Sequence, residues 1–115
     1  MNTLKNKVQL IGHLGYDPEV REIAPGRKVA RVSLATHSSH RNANGDRVSS
    51  TQWHTLVAWG RTAEMVERML RKGMQVAVEG KLQHRSYDGK DGQKRQVSEV
   101  VMHDFQLLTA AAKAA

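Results

Sequence analysis

The chain has 115 residues, no cysteine, and eighteen Lys/Arg against eleven Asp/Glu, for a net charge of +7. That length sets one domain. The missing thiols exclude disulfide staples and thiolate metal centres, and no apolar run approaches the ~18 residues of a membrane-spanning helix. So basic a chain of this size points to a polyanionic partner, and nucleic acid is the commonest.

The opening Met1-Asn2-Thr3-Leu4-Lys5 has no apolar signal core, so a cytoplasmic protein is expected. Val8, Leu10, Gly12 and Leu14 alternate with Gln9, Ile11 and His13, which predicts a strand. Gly12 within it marks a bulge or a sharp bend, as small closed barrels need. Asp17-Pro18 ends the run, Glu19 to Ile23 can form a short strand, and Ala24-Pro25-Gly26-Arg27 is a turn.

Alternation resumes from Lys28 to His37, with Ala30, Val32, Leu34 and Thr36 on one face. Ser38 to Arg47 has no apolar periodicity, and Asn44-Gly45 is a hairpin signal, so a basic β-hairpin arm is expected there. Thr51 to Trp59 is the next strand. Trp53, Thr55, Val57 and Trp59 share one face, and His54, Leu56 and Ala58 the other.

The period changes from Arg61 to Gly73, where Met65, Val66, Met69 and Leu70 form a helical stripe. Thr62 is the expected N-cap, with Glu64 in the first turn, Arg71 and Lys72 in the last, and Gly73 as the stop. Gln75 to Tyr87 and Arg95 to Leu108 predict two more strands around a charged tip, Asp88 to Lys94. Residues 1–108 are read as one domain and the alanine-rich 109–115 as a short disordered or frayed tail. The predicted class is all-β with one helix. A lone helix between the third and fourth long strands is the order of an OB-fold, a five-stranded Greek-key barrel, here with long β-hairpin arms.

The acids and histidines fall in no catalytic spacing, and a P-loop, a Gly-x-Ser-x-Gly and a His-Glu-x-x-His are all missing, so no enzyme is expected. Asp17, Glu19 and Glu22 are close in sequence, as a small metal-dependent nuclease would need, but they fall at a turn and are read as solvated. His37-Ser38-Ser39-His40 lacks an obvious third ligand and is read as polar sequence entering the arm, so no metal or cofactor is expected. A sequence-independent single-strand binder instead needs cations along the backbone path and flat aromatic faces for bases. Trp53 and Trp59, six residues apart on one strand, point to the same side about 20 Å apart. Tyr87 ends a strand at a charged tip, an unusual place for a core aromatic. Candidate phosphate contacts are Lys7, Arg41, Arg47, Arg61, Arg71, Lys72, Lys81, Arg85 and Lys94.

The same residues resemble the bacterial single-stranded DNA-binding protein (SSB) family, from about Lys5 to Leu108. The similarity runs through Asn6 to Arg21, Val32-Ser33-Leu34-Ala35-Thr36, Thr51-Gln52-Trp53-His54, Trp59 to Glu64, Leu70-Arg71-Lys72-Gly73 and Val78-Glu79-Gly80-Lys81-Leu82. The resemblance implies an OB-fold homotetramer that wraps single-stranded DNA and serves replication, recombination and repair, in the cytoplasm at the nucleoid. Its stacking positions fall on His40, Trp53, Trp59 and Tyr87. His40 departs from the large aromatic usual there, which predicts a weaker, pH-dependent contact, and Trp59 replaces a common phenylalanine. His54 matches a position implicated in subunit contacts. Family members continue into a Gly/Pro/Gln-rich linker and an acidic tip that recruits partners, whereas 109–115 here carries no acid and one lysine, Lys113. Either this sequence is trimmed before that tip, or it is a paralogue without tail-mediated recruitment. The alternative is a tail-less accessory OB protein of the primosome type, more often dimeric and acting through protein partners.

Overall fold

The computed structural model describes residues 3–108, so the tail expected at 109–115 lies outside the described residues. After a short 3-10 turn at Thr3–Lys5 come β1 (Val8–Leu14), β2 (Glu19–Ala24), β3 (Arg27–Arg41), β4 (Arg47–Trp59), α1 (Gly60–Met69), β5 (Gln75–Asp88) and β6 (Lys94–Leu107). The strands lie in the order β1-β5-β6-β4-β3-β2, and β1 also pairs with β3. That last pairing, His13 with Ala35 and Leu14 with Leu34, closes β1, β3, β4, β5 and β6 into a barrel. β2 is a short strand added to the outside edge of β3. The predicted OB-fold is present. β4 and β6 run parallel where Leu56 meets Val100, and the other pairings are antiparallel.

Alternation decides what fills the barrel. Ala30, Val32 and Leu34 of β3, Leu56 and Ala58 of β4, Val76 and Val78 of β5, and Val100 and Met102 of β6 all point inward and are buried. The helix closes the floor of this core with Ala63 and Val66, and Leu70, just past its end, is buried beside them. Burying each Val or Leu side chain of this set contributes about 1.5–3 kcal/mol.

The ends of the helix differ from the sequence expectation. It begins at Gly60, Trp59 is the N-cap, and no side-chain cap bond forms, so Thr62 is not the cap. Gly60 takes φ +58°, a conformation open to glycine, and this lets the strand turn straight into the helix without a capping residue. The helix stops at Met69, and the following Arg71 closes its end by donating from Nη1 to the carbonyls of Glu67 (2.7 Å) and Leu70 (2.6 Å). Gly12 makes no register break in β1. Its role is close approach, since a Cβ there would collide with the Ala35 carbonyl where β3 crosses to close the barrel.

Both arms are regular β-ribbons. The β3–β4 ladder continues without a shift from Val29–Trp59 out to Arg41–Arg47. Beyond the core its rungs are polar, as with Ser38 and Ser50 (3.0 Å) and His37 Nδ1 with Thr51 Oγ1 (3.0 Å). Asn42 Oδ1 accepts from the backbone N–H groups of Asn44 and Asp46, and Gly45 sits at φ +83°. The turn is thus organised by Asn42 as well as by Asn44-Gly45.

Candidate nucleic-acid interface

The outward face of the barrel is set by the same period of two. Odd-numbered residues of β4 point away from the barrel interior; of these Val57 is buried and Thr55 half-buried, whereas Trp53 is 61% exposed and Trp59 48% exposed, and Leu56 and Ala58 on the inner face are fully buried. Two half-exposed indoles on one strand have no burial to account for them. The Trp53 ring lies over Gly15, and a Cβ at Gly15 would come within 2.6 Å of its Cζ3. The bare glycine backbone is therefore the seat of this ring.

Pairing carries the same face across β3, β6 and β5. Arg31 lies beside Val57, Ser33 beside Thr55 and Ala35 beside Trp53. Val101 lies beside both Val57 and Lys81, and Gln83 beside Glu99. Tyr87 follows on β5, 47% exposed, with the Arg85 guanidinium carbon 6.0 Å from its ring centroid.

A carboxylate lies in the middle of this basic face. Glu99 is 3% exposed, accepts from Arg85 Nε at 2.8 Å and from Gln83 Nε2 at 3.4 Å, and has Arg31 Nη1 3.6 Å from its other oxygen. That other oxygen, Oε2, is buried and accepts no hydrogen bond. Two arginines from β3 and β5 thus converge on one acid of β6, which ties the two ends of the face together.

The predicted contacts divide into groups. Trp53, Trp59, Tyr87, Lys81 and Arg85 share the outer face. Arg41 and Arg47 face each other at the tip of the first arm, where Arg41 donates to the Gly45 carbonyl, and Lys94 stands at the tip of the second. His40 pairs with Val48, on the side of the ribbon opposite to Trp53. Lys7 is ion-paired with Glu79 (3.3 Å), and Arg71 is committed to the helix end. Arg61, two residues after Trp59, and Lys72, just past the other end of the helix, are both exposed. His54 is half-buried and bonded through Nε2 to Thr36 Oγ1 at 2.9 Å. Arg31, Glu99 and the Gly15 seat are additions that the sequence reading missed. The alternation that turned Ala30 and Val32 inward also turned Arg31 outward, so its placement was available as a signal. Among the described residues no cluster of three or more His, Asp or Glu could hold a metal ion, and no helix is long and apolar enough to cross a membrane.

The description of the single-strand binding protein family matches residues 5–108. The chain belongs to that family. It is 47% identical over 106 residues to single-stranded DNA-binding protein 1 of Chlorobaculum tepidum, covering 91% of this chain and 65% of that protein. It is 42% identical over 103 residues to a single-stranded DNA-binding protein of Neisseria meningitidis, covering 90% and 59%. The chain therefore spans less than two thirds of the length of these relatives. Among solved structures, a Plasmodium falciparum SSB in complex with single-stranded DNA superposes with a TM-score of 0.83 at 33% identity, covering 90% of this chain and 94% of that one. A deletion mutant of the Thermus aquaticus single-stranded DNA-binding protein gives 0.80 at 30% identity, covering 93% and 52%. SSB membership fits a barrel whose outer face carries aromatics and cations.

Proposed function

We propose that this protein binds single-stranded DNA without sequence preference, and so holds and protects it during replication, recombination and repair. The observation that carries this reading is the exposure of Trp53, Trp59 and Tyr87 on one cationic barrel face. Each ring offers a flat surface that any base can stack on, and Lys81 and Arg85 beside them meet phosphates. The arm cations Arg41, Arg47 and Lys94 extend the path along the ribbons, His40 offers a stacking ring on the other side of the first ribbon, and Arg61 and Lys72 extend the path around the helix. The chemistry is physical association with no bond made or broken, and no cofactor takes part.

Assembly into a homo-oligomer, a tetramer as in the family, is part of the same reading. β1 pairs with β3 only at His13 and Leu14, so Val8 to Ile11 leave one edge without a β3 partner, and Ile11 is 59% exposed. An unpaired strand edge with an exposed isoleucine supports association with a second copy. His54, fixed by Thr36, is the residue we assign to a subunit contact. The cytoplasm, at the nucleoid, is where such a protein meets its ligand.

The test is competition. A fluorescently labelled oligo(dT) is bound, and unlabelled single strands of mixed sequence or duplex of equal length are added while anisotropy is followed. Single strands of any composition should displace the label, and duplex should not. Equal displacement by duplex would reduce the interaction to charge alone and remove the stacking assignment.

A further inference from the structure

We propose a further nucleotide subsite on the outer face of the barrel, a groove of about 220 Å³ in which a base stacks on Tyr16 while its phosphate meets the Arg31 guanidinium. The groove is lined by Tyr16, Glu19, Arg31, Val32, Ser33 and Thr55. It rests on the single-strand reading above and deepens it.

Its placement follows from the strand register. Ser33 and Thr55 are partners across β3 and β4, one rung from the Ala35–Trp53 pair and one rung from Arg31–Val57 on the same face. The Val29–Trp59 pair is the next rung beyond. A strand of DNA joining the two indoles therefore crosses Ser33 and Thr55. The floor there is small and polar, and the wall is Tyr16. The Gly15 N–H donates to the Ser33 carbonyl at 3.0 Å, which fixes the chain after β1 over this part of β3. Gly15 is also the seat of Trp53, so Tyr16 is the next side chain along from that ring. Tyr16 is 55% exposed, and among the described residues its hydroxyl has no hydrogen-bond partner.

Arg31 is held in place without being used up. Its Nη1 lies 3.6 Å from Glu99 Oε2, an ion pair too long for a hydrogen bond. Among the described residues no hydrogen bond occupies its guanidinium, whose side chain is 46% exposed. Glu99 itself is buried and fixed by Arg85 and Gln83. A guanidinium pre-oriented in this way loses less freedom on meeting a phosphate, and its fork offers two donors at once. Glu99 is thus a positioning residue for both Arg31 and Arg85. Glu19 stands opposite Arg31 in the β2–β3 ladder.

The experiment measures oligo(dT) affinity and its salt dependence for the full chain and four variants, with tryptophan quenching recorded in the same titrations. Tyr16→Ala should weaken binding at least about five-fold while the quench at saturation is retained, since both indoles remain. Tyr16→Phe should restore affinity to within ~two-fold, because the stacking face returns. Arg31→Ala should lower the salt slope by ~0.7, one phosphate on a single strand. Glu99→Gln separates positioning from bulk charge. It raises the net charge by one, so long-range attraction alone predicts tighter binding, whereas release of Arg31 and Arg85 predicts weaker binding with a shallower salt slope. Unchanged thermal melting of Tyr16→Ala and Arg31→Ala shows that the fold is intact. If these variants bind like the parent while the parent still quenches, the subsite is wrong and the single-strand reading stands. If the parent itself neither binds nor quenches, both fall together.

Discussion

The two faces of β4 apply opposite rules within one strand. On the inner face Leu56 and Ala58 are fully buried, and on the outer face the much larger Trp53 and Trp59 stand 61% and 48% exposed. Folding alone would favour the reverse, since a buried indole removes far more apolar surface from water than an alanine does. The inner face is explained by stability. The outer face keeps apolar area in water and so points to a ligand that covers it. The contrast extends to polar groups. Inside, polar groups are kept out of the core cluster. Outside, a buried carboxylate, Glu99, is retained between two arginines, where replacement by an apolar group would often be neutral or stabilising.

Substitutions that separate stability from binding sharpen this comparison. The largest effect is expected from Leu56→Ala, which should cost about 2–5 kcal/mol of stability in denaturant unfolding and leave the affinity of the folded protein for single strands unchanged. Trp53→Ala should do the opposite. It should lose about 1–3 kcal/mol of binding in an oligonucleotide titration and shift the unfolding free energy by no more than ~0.5 kcal/mol. Gly15→Val lies between them. The added side chain pushes the Trp53 ring off its seat, so affinity should fall by less than for Trp53→Ala, with the ring's emission shifted in the free protein. A Leu56→Ala protein that folds normally but fails to bind would break the division between the two faces.

The smallest effect concerns a charge remote from the outer face. The Lys28 ammonium donates to Glu67 at 2.9 Å, and this hydrogen bond, helped by the charge of Glu67, holds its pKa above the ordinary lysine value. A folded-state pKa raised in this way gives stability that is fully present below the ordinary lysine range and lost as pH rises through the folded value. Lys28→Met should therefore shift the melting temperature by a small, constant amount between pH 6 and 9, and the difference should fade only above about pH 10.4. The pair lies at the surface, its side chains 31% and 48% exposed, and salt should erase most of its effect.

The fold was largely legible because alternation is a local signal. β1, β2 and β5 appear within a residue or so of the expected spans, and the helix appears where the period changes. The helix start was displaced because Gly60 at positive φ replaces the capping residue that Thr62 was expected to supply. β3 and β4 run further into the arm than apolar patterning predicts, since a two-stranded ribbon outside the core has no inside for apolar residues to mark. Of the site, the aromatics were legible from parity and position. The contacts that organise the face were not. The Gly15–Trp53 seat and the Arg31–Glu99–Arg85 convergence join residues distant in sequence, and only barrel closure brings them together. Several cations that looked equivalent in sequence turned out to have structural duties, Arg71 at the helix end and Lys7 with Glu79.

The most direct test of the central claim, that the exposed indoles are a stacking surface, is titration with oligo(dT) at low and high salt while tryptophan emission is followed. The two indoles of the chain are the two half-exposed ones, so bases that stack on them should quench most of the emission at a fixed nucleotide stoichiometry. Raising the salt should weaken the affinity without changing the quench at saturation. Binding that leaves the emission unchanged, or a quench that duplex DNA reproduces equally, would contradict the claim.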